Sequence, residues 1–244
     1  MKAPTFYDHP ALQPLVGPLR QHTLRQLHTI TGAGEPSAPA DPTEAYATAV
    51  FERVGELQNG IDSMRLALFA VMDLPERESS GWREYQYHYE NFLLRLTGVS
   101  DRAHRLVGTS LCLAPSKFEK PGGNTTVVKS IPRTLSALVS ALAHIEAVTG
   151  SKRRIRNEVA HSNAFSTREL SLFSTIEQLN FEDFDPQEVR GLMVHHFRSG
   201  GAELAGLLGS LVQAVNQLLA ALAPVISEHG GGTSSMSNSP DSAL

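Results

Sequence analysis

Residues 41–73 read DPTEAYATAVFERVGELQNGIDSMRLALFAVMD, and this stretch decides the fold. Asp41-Pro42-Thr43-Glu44 carries the signals that open a helix: an Asp at the cap, a Pro at the first helical position, and a Glu close behind. After it Ala47, Val50, Val54, Leu57, Ile61, Met64, Leu68 and Val71 recur at steps of three and four, which gathers them on one face of a long helix. Pro75 and Gly81 end it. A helix with one long apolar face is stable only against other apolar faces, so the chain must supply further helices of the same kind.

They follow in order. From about Trp82, the residues Tyr85, Tyr89, Phe92, Leu96, Val99, Ala103 and Leu106 keep the three/four rhythm, until Pro115 and Pro121-Gly122-Gly123 close the run. A third helix starts near Pro132 with Leu135, Leu138, Leu142 and Ile145, and Gly150 interrupts or bends it. Ser166-Thr167-Arg168-Glu169 reads as a capping box for a short helix. Asp185-Pro186-Gln187-Glu188 repeats the first start signal and opens a last long helix, with Leu204, Leu208, Leu211, Val215, Leu218, Leu222 and Val225 on one face. Gly200-Gly201 is expected to kink or split that helix. Residues 124–130 contain β-branched side chains and read as a short extended piece with no partner strand. The fold class is therefore all-α, a bundle of four to five main helices over residues 41–229. Residues 1–40 form a Pro-rich segment with room for one short helix, Leu12 to Ile30, and a linker. Residues 230–244 are a Gly/Ser-rich tail expected to be disordered, so both ends are expected to be flexible.

Composition narrows the function. The chain has 244 residues, 41% of them hydrophobic, enough for a sizeable core. One cysteine excludes a disulfide framework and a cysteine-rich zinc site. A formal charge of −4 excludes a global basic field for nucleic acid, so any such contact needs a local patch. No GxxxxGK[ST] loop, GxGxxG turn or three-ligand metal spacing is present. His195 and His196 are neighbours, so one packed and one exposed histidine are expected, and Cys112 between apolar residues reads as a buried thiol. The N-terminal residues lack the apolar run of a signal peptide. Polar Gln213, Asn216 and Gln217 interrupt the longest greasy stretch. The expectation is a cytoplasmic protein with no membrane contact.

One local patch stands out. Lys152, Arg153, Arg154 and Arg156 place four cations within five residues, for which a phosphate backbone is a natural counterpart. By charge alone, a solvated helix face paired with Glu146 and Glu158 is the favoured explanation. The spacing R-x4-H occurs three times, at Arg83 to His88, Arg156 to His161 and Arg190 to His195. Only the central copy has Asn, Asn157, after the Arg, and only it falls between the third and fourth main helical segments.

Arg156-Asn157-x-x-x-His161 resembles the RNxxxH signature of the HEPN superfamily, small α-helical bundles common among toxins, phage-defence factors and RNA-processing enzymes. Tyr89-Glu90-Asn91-Phe92-Leu93-Leu94-Arg95-Leu96, followed by Asp101-Arg102, is similar to the helix that precedes the motif in one group of bacterial HEPN proteins. The likeness extends over about residues 43–225.

The resemblance implies metal-independent RNA cleavage with no cofactor. His161 would take the proton from the ribose 2′-OH, and Arg156 would grip the phosphate while its charge builds. RNA supplies its own nucleophile, so DNA would be spared. In a continuous helix Asn157 and His161 share a face, whereas Arg156 and His161 stand about 140° apart. Either the helix frays near His161, or two chains pair so that both motifs line one groove; the resemblance implies the second, a homodimer, with Asn157 as a positioning residue. Lys152, Arg153, Arg154, Arg95 and Arg102 are the candidate RNA-binding cations, and His88, Asn91 and Arg105 share the polar face of the second helix. An antitoxin or defence-system protein is a further candidate partner. Toxins of this superfamily often carry Tyr two residues after the motif His. Here Asn163 stands there, so modification by AMP at that Tyr is unavailable. The alternative reading is a catalytically inactive HEPN-like module that binds RNA, a nucleotide or a protein partner.

Overall fold

The computed structural model describes residues 5–30, 32, 39–77, 81–152, 155, 157, 167–179 and 185–230. Among them there is no strand, and the fold is all-α. The helices are α1 (Gln13–Ile30), α2 (Pro42–Asp73), α3 (Trp82–Ser110), α4 (Pro115–Phe118), α5 (Gly123–Ser130), α6 (Ser136–Gly150), α7 (Arg168–Leu179) and α8 (Pro186–Gly230). The opening signal of α2 works as a reciprocal capping box. The Glu44 amide donates to Asp41 Oδ1 at 2.8 Å, and the Asp41 amide donates to Glu44 Oε2 at 3.1 Å. Ala47, Val50, Val54, Leu57, Ile61, Met64 and Val71 from its stripe are wholly buried.

The chain divides into two compact units, and α2, α3, α6 and α8 each lend a stretch to either. The first unit comprises Met1–Glu56, Ala103–Ala141 and Asn216–Leu244. Here α1 is an integral element. Leu12 and Leu15 are buried, and Arg25 forms an ion pair with the buried Glu44. That guanidinium holds the Glu44 carboxyl below its ordinary range. Tyr7 closes over Gly55, where a Cβ would stand 2.6 Å from its hydroxyl. Residues 124–130 are not extended. They belong to α5, whose β-branched Val127 is buried, and Gly123 at its start sits so close to Phe118 that a Cβ would lie 2.2 Å from the Phe118 carbonyl oxygen. Tertiary packing overrides the weak β preference of that stretch.

The second unit comprises Leu57–Arg102 and Leu142–Val215. α8 starts as expected, with the Gln187 amide donating to Asp185 Oδ1 at 2.9 Å. Arg190 donates Nη2 to the carbonyl oxygens of Leu74 at 3.2 Å and Pro75 at 3.3 Å, and to that of Arg77. One guanidinium thus gathers three carbonyl oxygens of the turn just beyond the end of α2. α8 is not split at Gly200-Gly201, since the helix runs unbroken through both. The glycines make room for neighbours: a Cβ on Gly200 would stand 1.9 Å from the Tyr85 hydroxyl, and one on Gly201 2.7 Å from Met72 Sδ. α7 is capped by Thr167, one residue later than the motif predicts, with the Leu170 amide donating to its Oγ1 at 3.2 Å. Ser166 lies outside the described residues.

Among the described residues α8 is the one helix long and apolar enough to cross a membrane, with 39% of its most apolar window buried. Its stripe of Leu204, Leu208, Leu211, Val215, Leu218, Leu222 and Val225 is buried in the packing.

Candidate functional site

The cationic segment begins where α6 ends. Gly150 closes that helix, and the Ser151 hydroxyl donates back to the Val148 carbonyl at 2.7 Å. Lys152 then turns inward to an ion pair with Glu203 of α8. The other oxygen of Glu203 accepts the Tyr89 hydroxyl of α3 at 2.9 Å. Burial, reinforced by the Glu203 charge, raises the Tyr89 phenol well above its usual range, so it stays protonated and donates. Glu203 therefore ties the start of the motif segment to α3 and α8. Ile155 and Asn157 lie on a helical turn, Ile155 half-buried and Asn157 exposed.

Arg153, Arg154, Arg156 and His161 lie outside the described residues, as do Glu158 and Asn163. On α3, Arg95 is exposed and its Nε stands 3.5 Å from Asn91 Oδ1. Arg102 is half-buried against the next helix: a Cβ on Gly60 would stand 2.8 Å from its Nη1, a buried atom with no hydrogen-bond partner among the described residues. Its guanidinium is drawn into the packing of α3 on α2. Tyr85 and Tyr89 are buried as their stripe implies, whereas Tyr87 is exposed.

The second unit also holds a cavity of about 360 Å3 between α7 and α8. Glu169, Leu172 and Phe173 line it from α7, and Leu192, His195 and His196 from α8. His195 is exposed and His196 half-buried, in line with one exposed and one packed histidine. The His196 ring meets Tyr85 at 5.0 Å between centroids and Phe173 edge-on at 5.9 Å. Burial lowers its pKa, the Glu169 charge opposes that, and His195 adds to it. His196 Nε2 is buried with no hydrogen-bond partner among the described residues. Glu169 is held ionised by its own amide and the Thr167 hydroxyl, which lower its pKa. The sequence signal for this cavity was the adjacent histidine pair, whose partner Glu169 lies 26 positions upstream of His195 and shows no spacing pattern with it.

In the first unit, Cys112 is exposed, against the expectation of a buried thiol. It takes a left-handed conformation, φ 53°, to end α3, with its amide on the Thr109 carbonyl at 2.9 Å and the Leu113 amide on that of Gly108 at 3.0 Å. That turn lifts the side chain off the apolar face, to within 3.9 Å of His229 Nε2. Partial burial pushes the thiol pKa up, which disfavours a nucleophilic thiolate.

Residues 46–200 match the family model described as Cthe2314-like HEPN. The chain belongs to the HEPN superfamily. No curated protein and no solved structure matches it. The HEPN span runs from within α2 to a third of the way along α8 and takes in the motif segment, the Glu203-tethered lysine and the α7–α8 cavity residues, though Glu203 itself lies just beyond it. α1 and the last thirty residues of α8 are additions to the HEPN match, built into the same helical packing.

Proposed function

We propose that this HEPN chain is a metal-independent endoribonuclease whose cleavage site is built from Arg156, Asn157 and His161. The observation that carries the reading is the position of Arg-Asn-x-x-x-His: it falls inside the HEPN match, and its one described member, Asn157, stands exposed on a helical turn. In the reaction His161 takes the 2′-OH proton, the freed oxygen attacks the adjacent phosphorus, and the bond to the 5′-oxygen breaks. The proton returns to that leaving oxygen, giving a 2′,3′-cyclic phosphate and a free 5′-OH. Arg156 stabilises the charge that builds on the phosphate oxygens.

The same reading takes the active form to be a homodimer, because the five-residue spacing of Arg156 and His161 presents them poorly to one phosphate from a single straight helix. Support comes from α2, where Leu66, Phe69 and Met72 recur at steps of three and are 72%, 72% and 53% exposed. An apolar row of this kind is a face that a second copy would cover. The setting we infer is cytoplasmic, in RNA turnover, toxicity or defence, with an antitoxin or defence-system protein as a further partner. The alternative, a silent HEPN module that binds RNA, a nucleotide or a protein, draws support from the Lys152–Glu203 pair, which occupies one cation of the patch.

The test is a pair of oligonucleotides of one sequence, one RNA and one DNA. Cleavage of the RNA with a cyclic phosphate on the 5′ fragment, and an intact DNA strand, is the expected result. Equal cutting of both, or no cutting with tight binding, decides for another chemistry or for the silent module.

A further inference from the structure

The α7–α8 cavity lies outside the Arg-Asn-x-x-x-His motif, and its walls have a definite chemistry. Leu172 of α7 and Leu192 of α8 are exposed apolar side chains that line it. Among the described residues Glu169 is the one carboxylate lining it. An ionised carboxylate only accepts, and it has about four lone-pair positions. Hydrogen bonds from its own amide and the Thr167 hydroxyl hold it ionised. Two acceptor oxygens side by side suit a ligand edge that offers two adjacent N–H donors.

We propose that this cavity seats a guanine base of the RNA, with Glu169 accepting from its N1–H and its 2-amino group. Of the four RNA bases only guanine has two neighbouring donors on its pairing edge. Adenine and cytosine set one amino donor beside an acceptor, and uracil places a single N–H between two carbonyls. The exposed His195 stands at the same cavity as a donor for the guanine O6. The inference rests on the ribonuclease reading for its choice of a nucleobase as ligand. It adds a base preference that the motif itself does not contain.

Titration calorimetry of the full chain with the four nucleoside 3′-monophosphates tests it. Guanosine monophosphate is expected to bind at least about tenfold more tightly than the other three. Glu169→Gln puts a donor amide where only acceptors fit, and Leu192→Trp fills the space; each erases the preference. Both positions are exposed, and circular dichroism checks that the helices persist. Equal binding of all four nucleotides, or a guanosine preference that survives both substitutions, overturns the proposal. Failure of the ribonuclease reading is seen separately, as intact RNA in the presence of a chain that still selects guanosine monophosphate.

Discussion

Tyr89 and Glu203 meet across α3 and α8 at 2.9 Å, hydroxyl to carboxylate, and the same carboxylate holds Lys152 at the foot of the motif segment. Three parts of the second unit are thus anchored on one side chain. The ion pair is partly exposed and contributes at most about 1 kcal/mol. Its larger effect is on which cations face RNA. Glu203→Gln keeps an acceptor for Tyr89 and releases Lys152. If Lys152 then reaches a phosphate, RNA affinity rises and the plot of log affinity against log salt steepens by about 0.7. Filter binding over a range of salt reads this, and an unchanged slope removes Lys152 from the RNA surface.

His196 makes stability depend on pH with a defined sign. Burial lowers its folded pKa below the unfolded value of about 6.5, so the folded chain resists a proton that the unfolded chain accepts. Its contribution is present in full above that value and is lost as pH falls through the unfolded and then the folded pKa. Urea denaturation of the wild type and His196→Phe at pH 5, 6, 7 and 8 isolates the term. The stability difference is expected to shift against the wild type below about pH 6.5; a difference constant over the series contradicts the burial assigned to this imidazole.

Gly200 tests the packing of α8 on α3. A Cβ there would stand 1.9 Å from the Tyr85 hydroxyl, so Gly200→Ala is expected to cost about 1–3 kcal/mol despite the gain in helix propensity. Gly209→Ala meets open space and is expected to stabilise by up to about 1 kcal/mol. Thermal melts of the two variants should move in opposite directions. Tyr85→Phe, which removes the atom in the way, should recover part of the Gly200→Ala loss.

Much of this architecture was legible in the chain. The Asp41 start signal and the stripe from Ala47 to Val71 specify α2 because both are local: a cap and a period need no knowledge of distant residues. Gly200-Gly201 was misleading for the converse reason. Propensity marks a glycine pair as a weak point, whereas tertiary packing brings Tyr85 and Met72 into the space a side chain would take. Residues 124–130 misled likewise: β-branching is a local preference, and the packing of Phe118 on Gly123 and the burial of Val127 set the helix. Cys112 sat in an apolar run, but a left-handed turn at that residue carries it to the surface. At the candidate site, the motif was readable as a string of residue types, whereas the convergence of Glu169 and His196 on one cavity depends on how α7 lies on α8.

The exposed row on α2 gives the homodimer a direct check. Phe69→Glu places a charge in the middle of Leu66, Phe69 and Met72 without touching the core. Light scattering is expected to show a monomer, and RNA cleavage to fall with it if two motifs share a cleft. A dimer that persists puts the subunit contact elsewhere. A fully active monomer rejects the shared cleft.

The most direct measurement is RNA cleavage by the purified chain in excess EDTA, with Arg156→Ala and His161→Ala run beside it. The wild type is expected to cut RNA undiminished by the chelator, and both variants to lose at least about a hundredfold in rate, the range of a lost general base. Cleavage that stops with EDTA, or that continues at the wild-type rate without His161, contradicts the assignment of this segment as the catalytic one.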